Sequence, residues 1–296
     1  MDTNVLAFLA APFVASLILT GIHAYLGVHV VERGVIFVDL SLAQIAALGA
    51  TIAILLPMTG GDPHAPSVYW ISLAFTFIGA FVFSTFRIRH GRVPQEAIIG
   101  ICYAVASAAS ILAMSKATSE SEHLKDMLVG NILAVSWGEV GKTAALYSAV
   151  GLFHYIFRKQ FLQISMNHAA AEASGLSVGW WDFLFYASFG FVVTSSVSIA
   201  GVLLVFCYLI VPSVAAMLYS DHIGKRLAIG WSMGTLVSAL GVYLSLKLDL
   251  PTGATIVATF GAALLIVAVL KRALLRRPAA SHLAAAHQAG AAPSPR

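Results

Sequence analysis

GVLLVFCYLIV, residues 201–211, is a segment that is apolar on every face, and it decides the fold class. The strands of a membrane β-barrel alternate apolar and polar side chains with a period of two, and this segment does not alternate. Apolar runs of about twenty residues, the length of helix that crosses about 30 Å of hydrocarbon, recur along the chain. Hydrophobic residues make up 59% of the 296 positions and charged residues only 10%. We therefore predict an all-α integral membrane protein.

The apolar runs predict a polytopic helical bundle with about nine transmembrane helices. The predicted spans are 5–28, 35–57, 67–86, 94–115, 142–158, 181–199, 201–220, 227–247 and 253–270. Only the stretch from Ser195 to Gly201 separates the sixth span from the seventh, so eight crossings are the alternative. We predict one transmembrane domain over residues 1–277, followed by a disordered cytoplasmic tail at 278–296 that is rich in Ala, Pro and Ser.

Basic residues are distributed unevenly between the two sides of the predicted membrane. Of the 17 Lys and Arg residues, 13 lie on one side of the alternating spans. Because cytoplasmic loops are enriched in Lys and Arg, this side is predicted to be cytoplasmic. The N-terminus then lies outside and the C-terminus inside a bacterial cytoplasmic (inner) membrane. Basic residues at the ends of apolar runs indicate membrane lipid as the surroundings, and no nucleic-acid partner is expected.

A few polar side chains fall inside the predicted spans, where an uncompensated polar group is costly and is therefore a functional candidate. They are His23, Asp39, Gln44, Glu96 and His154. For His23 and His154, an interhelical hydrogen bond is the alternative to metal ligation. For Asp39, an ion pair with Arg33 or Arg87 is the alternative to a role in a transport pathway.

Two segments outside the spans are candidates for contact with partners. The external stretch 116–141 carries four acidic residues and could receive a cation or a carrier protein. The cytoplasmic stretch 160–180 is rich in Ala and carries Gly175 and Gly179 near its end, which predicts a short helix ended by glycine. Such a helix beside the membrane is well placed to contact a cytoplasmic partner.

The string SWGEVGKT, residues 136–143, is similar to the phosphate-binding loop pattern G-x-x-x-x-G-K-[ST]. Ser136 replaces the first glycine of that pattern. No apolar strand precedes the string in an α/β context, and the predicted topology places it outside the cell. We therefore expect no nucleotide binding by this chain.

Six stretches of the chain, in order and over nearly its whole length, resemble one protein family. They are GVHVVERGVIFVDLSLAQIAALGA (27–50), PQEAIIGI (94–101), LVGNILAVS (128–136), NHAAAEASGLSV (167–178), GVLLVFCYLIVPSVAA (201–216) and LDLPTGATIV (248–257). The chain is similar to the permease subunits of zinc/manganese/iron ABC importers. The resemblance implies a non-enzymatic transport subunit of the ABC importer permease type that moves a divalent metal ion, most often zinc or manganese.

The same resemblance implies a set of partners and no cofactor bound by this chain itself. The expected partners are a cytoplasmic ATP-binding subunit, an extracytoplasmic metal-binding protein and a second permease copy that makes a homodimer. The segment 167–178, with Glu172, Ala173 and Gly175, corresponds to the coupling helix that docks on the ATPase. A rigid cytoplasmic helix joined to spanning helices is also what mechanical transmission requires.

The chain departs from the family pattern in its second predicted span. Family members carry an Asp and a His four residues apart, and one helical turn places both on the pathway face. Leu40 and Gln44 occupy these positions here. Asp39 lies one residue earlier, about 100° around the helix. The metal candidates are therefore Gln44 from two copies, with help from Asp39 or His23.

Three other functions are considered. An ABC permease for iron-siderophore or cobalamin would have a related architecture. A stand-alone secondary transporter would need its own ion-coupling residues and no docking helix, and the sparse intramembrane charge disfavours it. An intramembrane enzyme would need a converging catalytic set, and no H-E-x-x-H string occurs.

Overall fold

The computed structural model describes residues 3–59, 65–85, 94–115 and 132–276, and within these ranges the chain is helical with no strand. We number the α-helices in chain order. They are α1 (Thr3–Glu32), α2 (Val38–Leu55), α3 (Pro66–Thr85), α4 (Gln95–Met114), α5 (Trp137–Ile156), α6 (Arg158–Met166), α7 (His168–Ala173), α8 (Val178–Tyr219), α9 (Ile223–Leu248) and α10 (Thr252–Arg276). Arg87, the stretch 116–131 and the predicted tail at 278–296 lie outside the described residues.

Seven of the described helices are long and apolar enough to cross a membrane: α1 to α4 and α8 to α10. This confirms the prediction of an all-α, multi-pass membrane protein. The helix α5 has 20 residues but falls outside this set. The predicted sixth and seventh spans form a single 42-residue element, α8, whose backbone leaves helical geometry at Gly201.

Contacts with α1 show that α8 reverses its direction at Gly201. Along the first half, the partners on α1 move toward its N-terminus, and along the second half they move back. In the first half, Asp182 contacts Arg33 and Ser196 contacts His23. In the second half, Ser213 contacts Ala24. Ser220, directly after the helix, contacts Arg226, which also binds Glu32. The two halves of α8 are therefore antiparallel.

Gly201 makes this reversal with φ 75° and ψ 161°, a backbone conformation that only glycine adopts readily. The dihedral angles explain why a single residue separates two long apolar helices. The turn needs no polar loop, so the two apolar runs follow each other almost directly in the sequence.

Close approaches between helices depend on small residues, as is usual where lipid supplies no hydrophobic driving force. A Cβ atom at Gly27 of α1 would lie 2.0 Å from the carbonyl oxygen of Leu209 in α8. A Cβ atom at Gly234 of α9 would lie 2.3 Å from the Thr20 methyl group of α1. These glycines allow α8 and α9 to pack closely against α1.

The predicted single helix over 160–180 is wrong in detail, because two short helices, α6 and α7, occupy this stretch. Asn167 separates them and caps α7 by accepting a hydrogen bond from the Ala170 amide at 3.0 Å. Gly175 follows α7 with φ 80°, as expected of a glycine that ends a helix. Gly179 lies inside α8 and does not end a helix.

The string SWGEVGKT forms the start of α5. Ser136 accepts a hydrogen bond from the Glu139 amide, and the Glu139 side chain accepts one from the Ser136 amide, which makes a capping box. The similarity to a phosphate-binding loop therefore has a structural explanation in helix capping.

Substitution of Gly201 by Ala should strain the turn of α8, because a Cβ atom disfavours its dihedral angles. We expect a loss of about 1–3 kcal/mol of stability, measured as a lower midpoint in thermal unfolding of the purified protein. Gly261→Ala in α10 is the matched control, because a Cβ there meets nothing within 4 Å. Equal midpoints for the two variants would contradict this account of the turn.

Candidate functional site

The residues of α2 divide into a buried majority and one less buried stripe. The members of the stripe recur about every four residues, so they share one face of the helix. They are Leu40, Leu48, Ile52 and Leu55, and Gln44 lies at the same spacing between Leu40 and Leu48 but is itself buried. The Gln44 residue is 8% exposed. Leu40 and Gln44, where the resemblance places an Asp and a His, therefore lie on the side of α2 that carries its partly exposed residues.

Asp39 lies elsewhere on α2. It is 1% exposed, and neither of its carboxylate oxygens has a hydrogen-bond partner among the described residues. Five helical residues separate it from Gln44, which corresponds to about 140° around the helix. The structure therefore does not bring Asp39 and Gln44 to one face of α2.

His23 is fully buried in α1 and takes part in an interhelical hydrogen-bond network. Its Nδ1 lies 2.8 Å from the carbonyl oxygen of Leu19, and its Nε2 lies 3.2 Å from the hydroxyl of Ser196 in α8. Tyr147 of α5 also contacts Ser196 through its hydroxyl. Both ring nitrogens of His23 are thus engaged, which favours the interhelical alternative over metal ligation.

A second polar network, around Arg33, is one that the sequence analysis missed. Arg33 Nη1 lies 2.5 Å from Asp182 Oδ1, and both side chains are at most 1% exposed. Arg33 Nε donates to the Ser165 hydroxyl at 2.9 Å, and His29 Nδ1 lies 2.8 Å from the same hydroxyl. The alternative in which Asp39 pairs with Arg33 is therefore wrong, because Asp182 holds the guanidinium group, and Arg87 lies outside the described residues. The sequence did offer one sign of this ion pair, because Asp182 is an acidic residue at the start of a predicted apolar span.

This network joins the short helices to the long ones. Ser165 belongs to α6, Asp182 to α8 and His29 to α1, and Arg33 directly follows the last residue of α1. His154 extends the contacts to α5, because its Nε2 lies 2.8 Å from the Ser188 hydroxyl and its ring stacks on Phe161 of α6. A displacement of α6 therefore acts on three long helices at once.

The predicted coupling residues lie on the outer surface of the α6–α7 segment. Glu172, Ala173 and Gly175 are exposed. A small apolar cluster beneath them, formed by Ile164, Ala171 and Val178, anchors the segment to the bundle. Glu172 Oε1 lies 3.8 Å from His168 Nε2, one helical turn away. The α6–α7 segment thus has an exposed outer side and an inner side that packs on the bundle.

Three or more His, Cys, Asp or Glu side chains that could hold a metal ion together are not found within the described part of the chain. The described residues of one copy therefore do not by themselves form a metal site from these ligand types.

Comparison with known proteins decides the family. The model of the ABC 3 transport family matches residues 5–272, which is most of the chain. The chain belongs to the ABC 3 transport family. This match confirms the resemblance to permease subunits of metal-ion ABC importers that the six stretches indicated.

Two relatives are distant from this chain in sequence, but each aligns with most of it. The manganese transport system membrane protein MntC of Listeria monocytogenes is 25% identical over 251 residues, 85% of this chain and 86% of the relative. A probable iron transport system membrane protein of Haemophilus influenzae is 25% identical over 250 residues, 84% of this chain and 89% of the relative. These relatives are thus named for different metals.

The fold also matches a solved structure. PsaBC from Streptococcus pneumoniae in complex with Fab aligns with a TM-score of 0.72 at 23% identity, covering 88% of this chain and 90% of that chain. At this identity the match establishes the shared fold.

Replacing Asp182 by Asn should leave the buried Arg33 guanidinium without its counter-charge. We expect a loss of about 3 kcal/mol, measured by thermal unfolding in lipid nanodiscs, because breaking a buried ion pair strands a charge. Asp221→Asn is the control, since Asp221 is fully exposed and lies 3.4 Å from Arg226. If both variants unfold like the wild type, the pair contributes nothing to stability.

Proposed function

We propose that this chain is the membrane-spanning subunit of an ABC importer that carries a divalent transition-metal ion across the bacterial cytoplasmic membrane. The observation that carries the proposal is the family match over residues 5–272. ATP hydrolysis belongs to a separate cytoplasmic partner, and an extracytoplasmic binding protein delivers the ion. Two copies of this chain form the passage between them.

The proposed topology has nine crossings. Seven helices meet the criteria of length and hydropathy, α5 adds one crossing, and the reversal of α8 at Gly201 adds another. Arg33, Arg158 and Arg226 then lie at the same end of the bundle, which supports a cytoplasmic position for that end. The N-terminus is outside and the C-terminus inside.

We assign Gln44 to the ion pathway. It lies at the same helical spacing as the partly exposed residues of α2, so a second copy packed against that side would bring two Gln44 side chains toward each other. Amide oxygen is a hard ligand that suits Mn²⁺ better than Zn²⁺, which prefers imidazole and thiolate. Manganese is therefore the favoured ion, and zinc the second choice. Asp39 and His23, buried away from the stripe, take supporting positions.

The α6–α7 segment is the proposed docking surface for the ATPase. Glu172, Ala173 and Gly175 face outward, and the contacts of Ser165 with Arg33 and His29 connect the segment to α1. Closure of the ATPase pair would push on this surface, and the network would carry the displacement into the long helices.

Gln44→Ala should lower manganese uptake by about ten- to hundredfold in cells that depend on this importer, because an ion ligand is lost. The measurement is uptake of radioactive manganese, with the amount of protein in the membrane checked in parallel. Ser110→Ala is the control, because the Ser110 hydroxyl is buried and bonds only its own helix, to the Ala106 carbonyl at 2.9 Å. Unchanged uptake in Gln44→Ala would remove Gln44 from the pathway.

Glu172→Arg should uncouple the chain from its ATPase. The side chain is exposed, so the fold should persist while the reversed charge disturbs the docking surface. We expect copurification of the ATPase and metal uptake to fall by about tenfold or more. Lys225→Glu reverses an exposed charge at the same end of the bundle outside the segment and should retain both. Equal losses in the two variants would contradict a specific role for α7.

A further inference from the structure

An elongated groove runs between α1, α5, α6 and α9, apart from the α2 stripe. Its volume is about 560 Å³. Most of the side chains that line it are apolar or aromatic. They include Ile18, Ile22, Tyr147, Leu162, Leu227 and Trp231.

Two glycines keep the groove open. A Cβ atom at Gly21 of α1 or at Gly151 of α5 would meet nothing within 4 Å, so the space in front of both residues is empty of protein. Both glycines line the groove. A side chain introduced at either position would enter the groove without striking the described residues near it.

Arg158 lies at one end of this apolar groove. Its guanidinium carbon is 4.5 Å from the centroid of the Tyr155 ring, and both residues line the groove. No carboxylate of the described residues forms an ion pair with Arg158. A cation that has no carboxylate partner among the described residues and lies beside an apolar cavity is a site that an anion with an apolar tail would fill.

The length of the groove fits the tail of a membrane lipid. Ala144 and Tyr155, two lining residues of α5, are separated by about 17 Å at 1.5 Å per residue. One leaflet contributes about 15 Å of the hydrocarbon core of a bilayer. An acyl chain can therefore run along α5 while its head group remains level with Arg158.

The groove is unsuited to the transported ion. Its walls offer few oxygen ligands, and the positive charge of Arg158 repels a divalent cation. The metal passage and this groove are thus separate surfaces of the same chain, and the groove does not depend on the proposed function.

We propose that the groove binds one anionic phospholipid, with an acyl chain between α1, α5 and α9 and the phosphate on Arg158. Basic pockets between membrane helices recognise anionic head groups in this way. The bond to the guanidinium gives the preference for an anionic lipid, and the apolar walls hold the chain.

The experiment is native mass spectrometry of the full chain, purified in detergent and titrated with phosphatidylglycerol or phosphatidylcholine. The wild type should retain one phosphatidylglycerol and prefer it by about tenfold over phosphatidylcholine. Arg158→Gln should remove this preference while leaving weak binding of both lipids. Gly151→Leu, which fills the groove, should reduce binding of both.

Lys159→Gln is the matched control, because Lys159 is the exposed neighbour of Arg158 and does not line the groove. It should bind phosphatidylglycerol like the wild type. Wild-type binding by Arg158→Gln would overturn the proposal, as would an equal loss in Lys159→Gln. A change in oligomeric state in Gly151→Leu, without loss of lipid, would assign the groove to a second copy instead. Thermal unfolding of each variant identifies any loss of fold.

Discussion

The ion pair between Arg33 and Asp182 is the interaction on which the arrangement at one end of the bundle depends. Both side chains are almost completely buried, and each is costly there without the other. The pair fixes the end of α1 against the start of α8. Because Arg33 also donates to Ser165, the position of α6 is set by the same group. Long and short helices therefore share one electrostatic anchor.

The surfaces of the molecule around this ion pair differ in exposure and polarity. The outer side of the α6–α7 segment is exposed for a partner, while its inner side is fixed through Ser165. The stripe of α2 is less buried than the rest of its helix, which suits contact with another copy, and Gln44 lies at the same spacing. The groove beside Arg158 is apolar and is lined by α1, α5, α6 and α9, so it shares α6 with the proposed docking segment and no residue with the stripe of α2.

The hydrophobic runs predicted most of the helices, because a membrane helix must be apolar over about twenty residues wherever it packs. The pairing of Arg33 with Asp182 could not be predicted, since the two residues are 149 positions apart and only tertiary packing brings them together. Residue spacing placed Gln44 on a helical face, but the face left least covered depends on the neighbours of α2. His23 was ambiguous for the same reason, because Ser196 comes from a distant helix.

The reversal of α8 at Gly201 also has a consequence for biogenesis. Its two halves emerge from the ribosome as one largely apolar segment of 42 residues, in which only the short stretch from Ser195 to Gly201 separates the two helices. A straight helix of that length would be about 63 Å long, twice the thickness of the hydrocarbon core. The segment therefore fits within the membrane only as a hairpin, and Gly201 sets where the hairpin folds.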